Sequence, residues 1–176
     1  MYDDEHHLEQ RLIFSDWSPK EFEGVPFQLV DPQGTLKRNA IMLYCARGVT
    51  PPQMPKSVSL PCKSPAQAIH LLSGVAGWAF PMFGTKGSHC LTVRLHYADG
   101  QNEDHTMLNG VQFADYIHHF DVPKSKFAFD LQGPQIRYLA IHPARTATID
   151  SIEFIDGADE TVPVVMAVTI QLPAGK

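Results

Sequence analysis

One stretch, LTVRLHYADGQNEDHTMLNGVQFADY from Leu91 to Tyr116, constrains the fold more than any other part of the chain. Cys90–Ala98 alternates between apolar and polar residues, as a strand with one buried face does. The dipeptide Asp99-Gly100 then predicts a hairpin turn, with Glu103–Leu108 as the partner strand. No convincing helical period separates this hairpin from the strand-like runs on either side. The pattern predicts an antiparallel all-β domain.

Other runs of the same kind raise the total to about nine or ten short strands. The run AIHLLSGV is apolar throughout and fits a helix or a strand, but Pro65 before it and Gly74 near its end favour a strand. Because several runs are apolar on both faces, two packed sheets are expected. We therefore predict a jelly-roll β-sandwich of two antiparallel sheets over residues 22–176, preceded by a tail or linker at 1–21. The further predicted strands are Val25–Val30, Asn39–Tyr44, Ser57–Leu60, Ala68–Val75, Gln135–His142, Ala147–Ile155 and Val162–Leu172.

Composition narrows the class of protein. The 176 residues are 44% hydrophobic and 19% charged, which is typical of one globular domain rather than a disordered chain. The formal net charge of -5 argues against a nucleic-acid partner. No apolar run approaches the ~20 residues of a membrane span. Three cysteines without a CxxC motif argue against a disulfide framework and a cysteine zinc site.

The first ten residues are polar and acidic, so they do not form the apolar core of a signal peptide. We expect either an intracellular protein or a piece of a longer one.

Four short segments in a fixed order carry a family resemblance: Gly24–Phe27 with Asp31-Pro32, Ile69–Leu72, Tyr97–Gly100 and Ala167–Thr169. Together they resemble a module of large exported planctomycete-type bacterial proteins, which is similar to the galactose-binding-like β-sandwich of carbohydrate-binding modules. The resemblance covers roughly residues 22–172. It implies a sugar-binding or surface-binding accessory domain, extracellular or periplasmic, within a larger protein for which a glycoside hydrolase is one candidate. It assigns no binding residue individually.

Aromatic residues in loops are the first candidates for a binding site. Sugar-binding proteins stack the C–H groups of a sugar ring on an aromatic face while nearby polar groups bind its hydroxyls. The loop WAFPMFGTKGS begins at Trp78, and a second aromatic, Tyr116, lies among charged residues. The same side chains are also typical of residues that close the ends of a sandwich. The predicted ligand-binding residues are Trp78, Tyr116, His118, Asp115 and Arg94.

A metal site is the second candidate. His96 and His105 flank the hairpin turn near Glu103, and they would face each other across the strands if the loop had four residues, but not if it had two. The alternative interpretation is a polar, solvated sheet face. A structural calcium ion is also a candidate, with oxygens from 99–103 or 156–160.

No GxSxG, P-loop or GxGxxG motif is present, and no cysteine has an activating context. The sequence therefore favours a noncatalytic carbohydrate-binding or surface-recognition module, with a carbohydrate or other domains of a parent chain as partners. The first alternative is a small metal-assisted hydrolase or isomerase that uses a His/carboxylate site. The second is a structural module that packs against neighbouring domains.

Overall fold

The computed structural model describes residues 16–31, 33, 37–45, 54–130, 134–157 and 159–174. These residues form an all-β fold whose paired strands all run antiparallel, as predicted. The strands are β1 (Lys20–Phe22), β2 (Val25–Phe27), β3 (Ile41–Met42), β4 (Ser57–Ser64), β5 (Ala68–Ala76), β6 (His89–Tyr97), β7 (Asn102–Leu108), β8 (Lys126–Asp130), β9 (Gln135–Ile141), β10 (Ile149–Asp156) and β11 (Val162–Gln171).

Two sheets form the body of the domain. One has four strands in the order β4-β10-β6-β7, and the other has five in the order β3-β11-β5-β9-β8. Inward-facing side chains from both sheets make one hydrophobic core, which includes Leu71 of β5, Val93 of β6 and Phe154 of β10. The apolar and polar residues of β6 alternate because every second side chain of this strand enters the shared core.

A second core lies on the outer face of the five-stranded sheet. It joins Leu72 of β5, Ile136 of β9 and Val164 of β11 to Phe27 and Leu29 of the N-terminal segment. The small hairpin β1-β2 belongs to this covering layer. All nine residues of β5 are consequently buried. The prediction that its continuous apolar run is a strand is confirmed, and burial on both faces explains why the run does not alternate.

The predicted boundary between residues 21 and 22 falls inside β1. Trp17 and Phe22 both pack against the second core, so the last residues of the predicted tail belong to the folded domain. Residues 1–15 lie outside the described part of the chain.

Some elements differ from the prediction in length. β2 ends at Phe27 and β3 has only two residues, whereas β4 extends to Ser64. Strand β8 is paired to β9 but was not predicted, because the run KFAFD is too short to show a period. The aromatic loop contains a short π-type turn over Ala79–Phe83, interrupted at Phe80, whose backbone is extended.

The β6-β7 hairpin has neither of the two loop lengths considered. His96 pairs with Asn102, and the amide N of Tyr97 donates to the carbonyl of Gln101, which leaves the three loop residues 98–100. Gly100 takes the left-handed conformation, with φ 84°. This geometry is typical of a three-residue hairpin whose last loop residue must have a positive φ.

Candidate functional site

An aromatic pair lies where the chain leaves β5. Trp78 is half-buried, and the centroid of its ring is 5.7 Å from that of Phe83. The side chain of Phe83 is 71% exposed, and its neighbour Met82 is 38% exposed. We call Trp78, Met82 and Phe83 the aromatic platform. It lies at one end of the sandwich, whereas the 98–100 hairpin loop lies at the other end of β6.

The backbone of Trp78 is unusual. It has φ 61° and ψ 47°, in the left-handed region that a bulky side chain rarely adopts. Such a conformation costs about 1–3 kcal/mol and persists only where neighbouring contacts hold it. Strained residues of this kind are concentrated at binding sites, so the position of Trp78 is itself a reason to look for a ligand there.

Asp115 supplies the holding contacts. Its side chain is buried, and it accepts hydrogen bonds from the amide N of Ala79 at 2.6 Å and of Ile117 at 3.0 Å. Its own amide N donates to the carbonyl of Phe80 at 2.7 Å. Burial raises the pKa of this carboxyl, and the N–H donors of Ile117 and Ala79 offset part of that effect. Asp115 thus ties the turn that carries Trp78 to the loop after β7.

Two glycines and an asparagine complete the support. The Oδ1 atom of Asn109 accepts a hydrogen bond from the amide N of Phe80 at 3.0 Å. A side chain at Gly84 would come within 2.5 Å of the Asn109 amide, so this position admits no larger residue without a shift. Gly110 has φ 72° and lies against the Phe80 ring. The backbone of the turn is therefore closely packed against Asn109 and Gly110, while the side chains of Met82 and Phe83 stay exposed.

A second aromatic pair adjoins the first. The rings of Phe80 and Phe120 are 5.6 Å apart and nearly perpendicular, and Phe120 is 40% exposed. The ammonium group of Lys86 lies 5.8 Å from the centre of the Phe80 ring. Together with the platform, these residues give this end of the domain both apolar area and a positive charge.

The structure brings only part of the predicted ligand set together. Asp115 contacts the turn of Trp78, and exposed His118 is close enough to favour the charged form of Asp115. Tyr116 instead packs against the second core, and burial, with a further contribution from Asp115, raises its pKa to about 12. This places the Tyr116 ring on the outer face of the five-stranded sheet, and its part in ligand binding stays a prediction.

Arg94 lies far from the platform, on the outer face of the four-stranded sheet. Its Nε and Nη2 atoms donate to the two carboxylate oxygens of Asp104 at 2.7 and 2.8 Å. This bidentate pair, with the neighbouring charge of Glu153, raises the pKa of Arg94. The sequence analysis named Arg94 as a polar partner for the loop aromatics, but no local pattern shows which sheet a strand joins.

The three predicted metal ligands do not share a site. His105 pairs with Val93 and His96 with Asn102, so the two imidazoles lie on opposite faces of the sheet and ~10 Å apart along it. His96 is 2.9 Å from Glu153, and His105 is 2.7 Å from Glu103. Within the described residues, no three His, Cys, Asp or Glu side chains come together as a metal site would require.

One aspartate of each predicted calcium run accepts hydrogen bonds within a turn. Asp99 accepts from the amide N of Gln101 and pairs with Arg145. Asp159 accepts from Thr161 and from the hydroxyl of Ser88. Ala158, in the second run, lies outside the described residues. Calcium binding by either run stays a prediction.

Buried Arg137 and Gln135 are the residues that sequence reasoning missed. Both side chains are fully buried and lie beneath the loop that carries Asp115. The only signal in the sequence is two long polar side chains, two positions apart, on what proves to be one face of β9.

No family model matches the chain, and no curated protein matches it in sequence. In the described part of the chain, no helix is long and apolar enough to cross a membrane.

Proposed function

We propose that this domain is a noncatalytic carbohydrate-binding or surface-recognition module, a jelly-roll sandwich of galactose-binding-like type, and that the aromatic platform is its binding surface. One observation carries the proposal: Trp78 is held in a strained conformation beside Phe83, which is 71% exposed. A surface that is ordered before a ligand arrives loses little conformational entropy on binding.

The chemistry of the platform suits a sugar ring. The faces of Trp78 and Phe83 offer apolar area for ring C–H groups, while exposed His118 and Lys86 supply polar atoms for hydroxyls on the same end of the domain. An exposed platform of this size binds one ligand weakly, so useful affinity depends on several copies or on other modules of a parent protein. An accessory role in a larger exported enzyme, outside the cell or in the periplasm, is part of this proposal.

The first test is binding of the purified domain to a broad panel of polysaccharides and glycans, with Phe83→Ala alongside. Because Phe83 is largely exposed, its truncation should change the free energy of unfolding by less than ~0.5 kcal/mol. The affinity for any captured glycan should fall about tenfold, which corresponds to ~1.4 kcal/mol. Trp78→Ala should weaken binding further, since the larger ring is lost.

Arg94→Ala is the matched control, because it removes a predicted ligand residue from the opposite sheet. Its glycan affinity should equal that of the wild type. If Arg94→Ala loses binding and Phe83→Ala keeps it, the ligand binds the outer face of the four-stranded sheet and the proposed site is wrong. If the panel yields no binding, the carbohydrate proposal is wrong.

A second candidate function follows from the apolar character of the same end. Met82, Phe83 and Phe120 are large apolar side chains that are all exposed at this end of the domain. Grouped exposed apolar side chains are typical of a surface that packs against another protein, here another domain of a parent chain. In that case the domain should bind a hydrophobic dye at this end, and Phe83→Ala should reduce the dye signal without any glycan being recognised.

A further inference from the structure

We propose that Asp115 is a positioning residue for the aromatic platform and that buried Arg137, acting through Gln135, keeps Asp115 in place. The inference rests on the proposed function only for the claim that the platform binds a ligand. Its structural part concerns how a loop of irregular backbone is held rigid, and that part is testable without a ligand.

Arg137 is the first step of the connection. The guanidinium has no exposed surface, and each of its three nitrogens donates to a residue of the loop between Asp115 and β8. Nε donates to the hydroxyl of Ser125 at 2.7 Å, Nη2 to the Ser125 carbonyl at 2.8 Å and Nη1 to the Phe120 carbonyl at 2.7 Å. Asp121 adds a carboxylate oxygen at 3.6 Å. A buried guanidinium is tolerable only with such partners. Removing it would take a donor from the Ser125 hydroxyl and from the carbonyls of Ser125 and Phe120, whereas exposed Asp121 keeps water and His119 as partners.

Gln135 is the second step, and it links Arg137 to Asp115. Its Oε1 accepts from Nη1 of Arg137 at 2.9 Å, and its Nε2 donates to the main-chain carbonyl of Asp115 at 2.9 Å. The two bonds fix the orientation of the amide, because only its oxygen can accept from a guanidinium. The backbone N of Gln135 also donates to the carbonyl of Tyr116.

The third step runs from Asp115 to the platform. The carboxylate accepts from the amide of Ala79, directly after Trp78, and the amide N of Asp115 donates to the carbonyl of Phe80. Arg137 also holds the Phe120 carbonyl, and the Phe120 ring packs edge-on against Phe80. Both aromatic pairs at this end of the domain therefore depend on one buried network.

The experiment uses Trp78 as its own reporter. The chain has two tryptophans, so Trp17→Phe leaves Trp78 as the single fluorophore. In that background Asp115→Asn keeps the shape of the side chain but replaces one acceptor oxygen with an N–H donor. We expect the ligand-free variant to show stronger acrylamide quenching and a longer emission wavelength for Trp78. Its affinity for a captured glycan should fall about tenfold.

Asp99→Asn is the matched control, because it changes a turn carboxylate that also accepts a backbone N–H but lies at the opposite end of the domain. It should leave the Trp78 signal unchanged. Arg137→Lys, which loses the planar fork, should change the Trp78 signal in the same direction as Asp115→Asn. A folded Asp115→Asn protein with wild-type quenching would overturn the positioning role, and a folded Arg137→Lys protein with wild-type quenching would overturn the role of the buried network.

The wild-type protein answers the same question if a variant does not fold. The Ala79 amide belongs to no strand, yet its bond to a buried carboxylate predicts slow hydrogen exchange. Exchange at the rate of an exposed amide would contradict the proposal. Because quenching and exchange are read without ligand, a domain that shows both expected effects but binds no glycan would reject the proposed function and keep the positioning role.

Discussion

At the scale of single residues, Glu103 shows how a predicted metal ligand serves the fold instead. Its Oε2 accepts from the hydroxyl of Tyr97 at 2.5 Å and its Oε1 from the amide N of Ala144 at 2.9 Å, with His105 at 2.7 Å. Arg145 covers the Tyr97 ring, 4.4 Å from its centre. Glu103 thus connects the β6-β7 hairpin to the chain before β10.

This arrangement predicts how stability depends on pH. Burial acts to raise the Glu103 pKa, but the bonds from Tyr97 and Ala144 and the nearby His105 outweigh it, so the pKa lies below its ordinary value. A carboxyl with a lowered pKa stabilises the fold above its unfolded pKa of about 4.3, and the contribution is lost as pH falls through the folded pKa. Chemical denaturation of Glu103→Gln should therefore show a deficit in the free energy of unfolding at pH 7 that shrinks below about pH 4.3. A deficit that stays constant down to pH 3 would show that the charge of Glu103 is not responsible.

At the scale of elements, β5 differs from a typical hairpin strand because both of its faces are buried. Its odd-numbered residues Ile69 and Leu71 face the shared core, and its even-numbered residues Leu72 and Ala76 face the second core. His70 also lies on the outer face, between the Tyr138 hydroxyl at 2.8 Å and the Gln171 side chain at 3.0 Å. A strand between two apolar layers has no polar face, which is why its sequence lacks the period of two.

Neighbouring substitutions in β5 should therefore be equally damaging. Leu71→Ala and Leu72→Ala should each lower the free energy of unfolding by ~2–5 kcal/mol, because each leaves a cavity in a separate core. Denaturant titrations of the two variants measure this directly. Exposed Ser59→Ala in β4 is the control and should stay within ~0.5 kcal/mol of the wild type. If Leu72→Ala is as stable as the wild type while Leu71→Ala is not, the outer face of β5 is open to solvent and the second core is wrong.

At the scale of the whole molecule, the N-terminal segment forms a third layer over the sandwich. Phe27 and Leu29 are buried in the second core, and Trp17 packs at its margin. Side chains connect this layer to strands β11 and β8 of the sheet: the Thr169 hydroxyl donates to the Pro26 carbonyl at 2.6 Å, and Lys126 pairs with Glu23 at 2.7 Å. Without the layer, the outer face of the five-stranded sheet would expose an apolar surface.

Phe27→Ala tests the importance of this layer. The loss of a buried aromatic should cost ~3–5 kcal/mol and should increase binding of a hydrophobic dye, since the outer sheet face becomes accessible. Exposed Gln28→Ala, one position along, should have little effect on either measurement. A Phe27→Ala protein as stable as the wild type would mean that the N-terminal layer contributes nothing to the fold.

The sequence by itself determined the class of the fold and most of its strands. Alternation in Cys90–Ala98 and a glycine turn at residue 100 are local signals, because a side-chain period and a positive φ depend on a few adjacent residues. The same local reasoning singled out Trp78 as a loop aromatic. It also grouped Trp78 with Arg94, although strand order is not encoded in any one window. It grouped His96 with His105 on a four-residue hairpin loop, whereas the loop has three residues.

Only the tertiary structure decided which residues share a site. Ala79 and Asp115 are 36 positions apart, and Arg137 reaches Phe120 from a strand that follows it. These contacts depend on which strands are neighbours and on the register between them, and both are set by how all the apolar faces are buried at once. A one-residue difference in the hairpin loop was enough to place His96 and His105 on opposite faces, since each shift of one residue turns a strand side chain to the other side of the sheet.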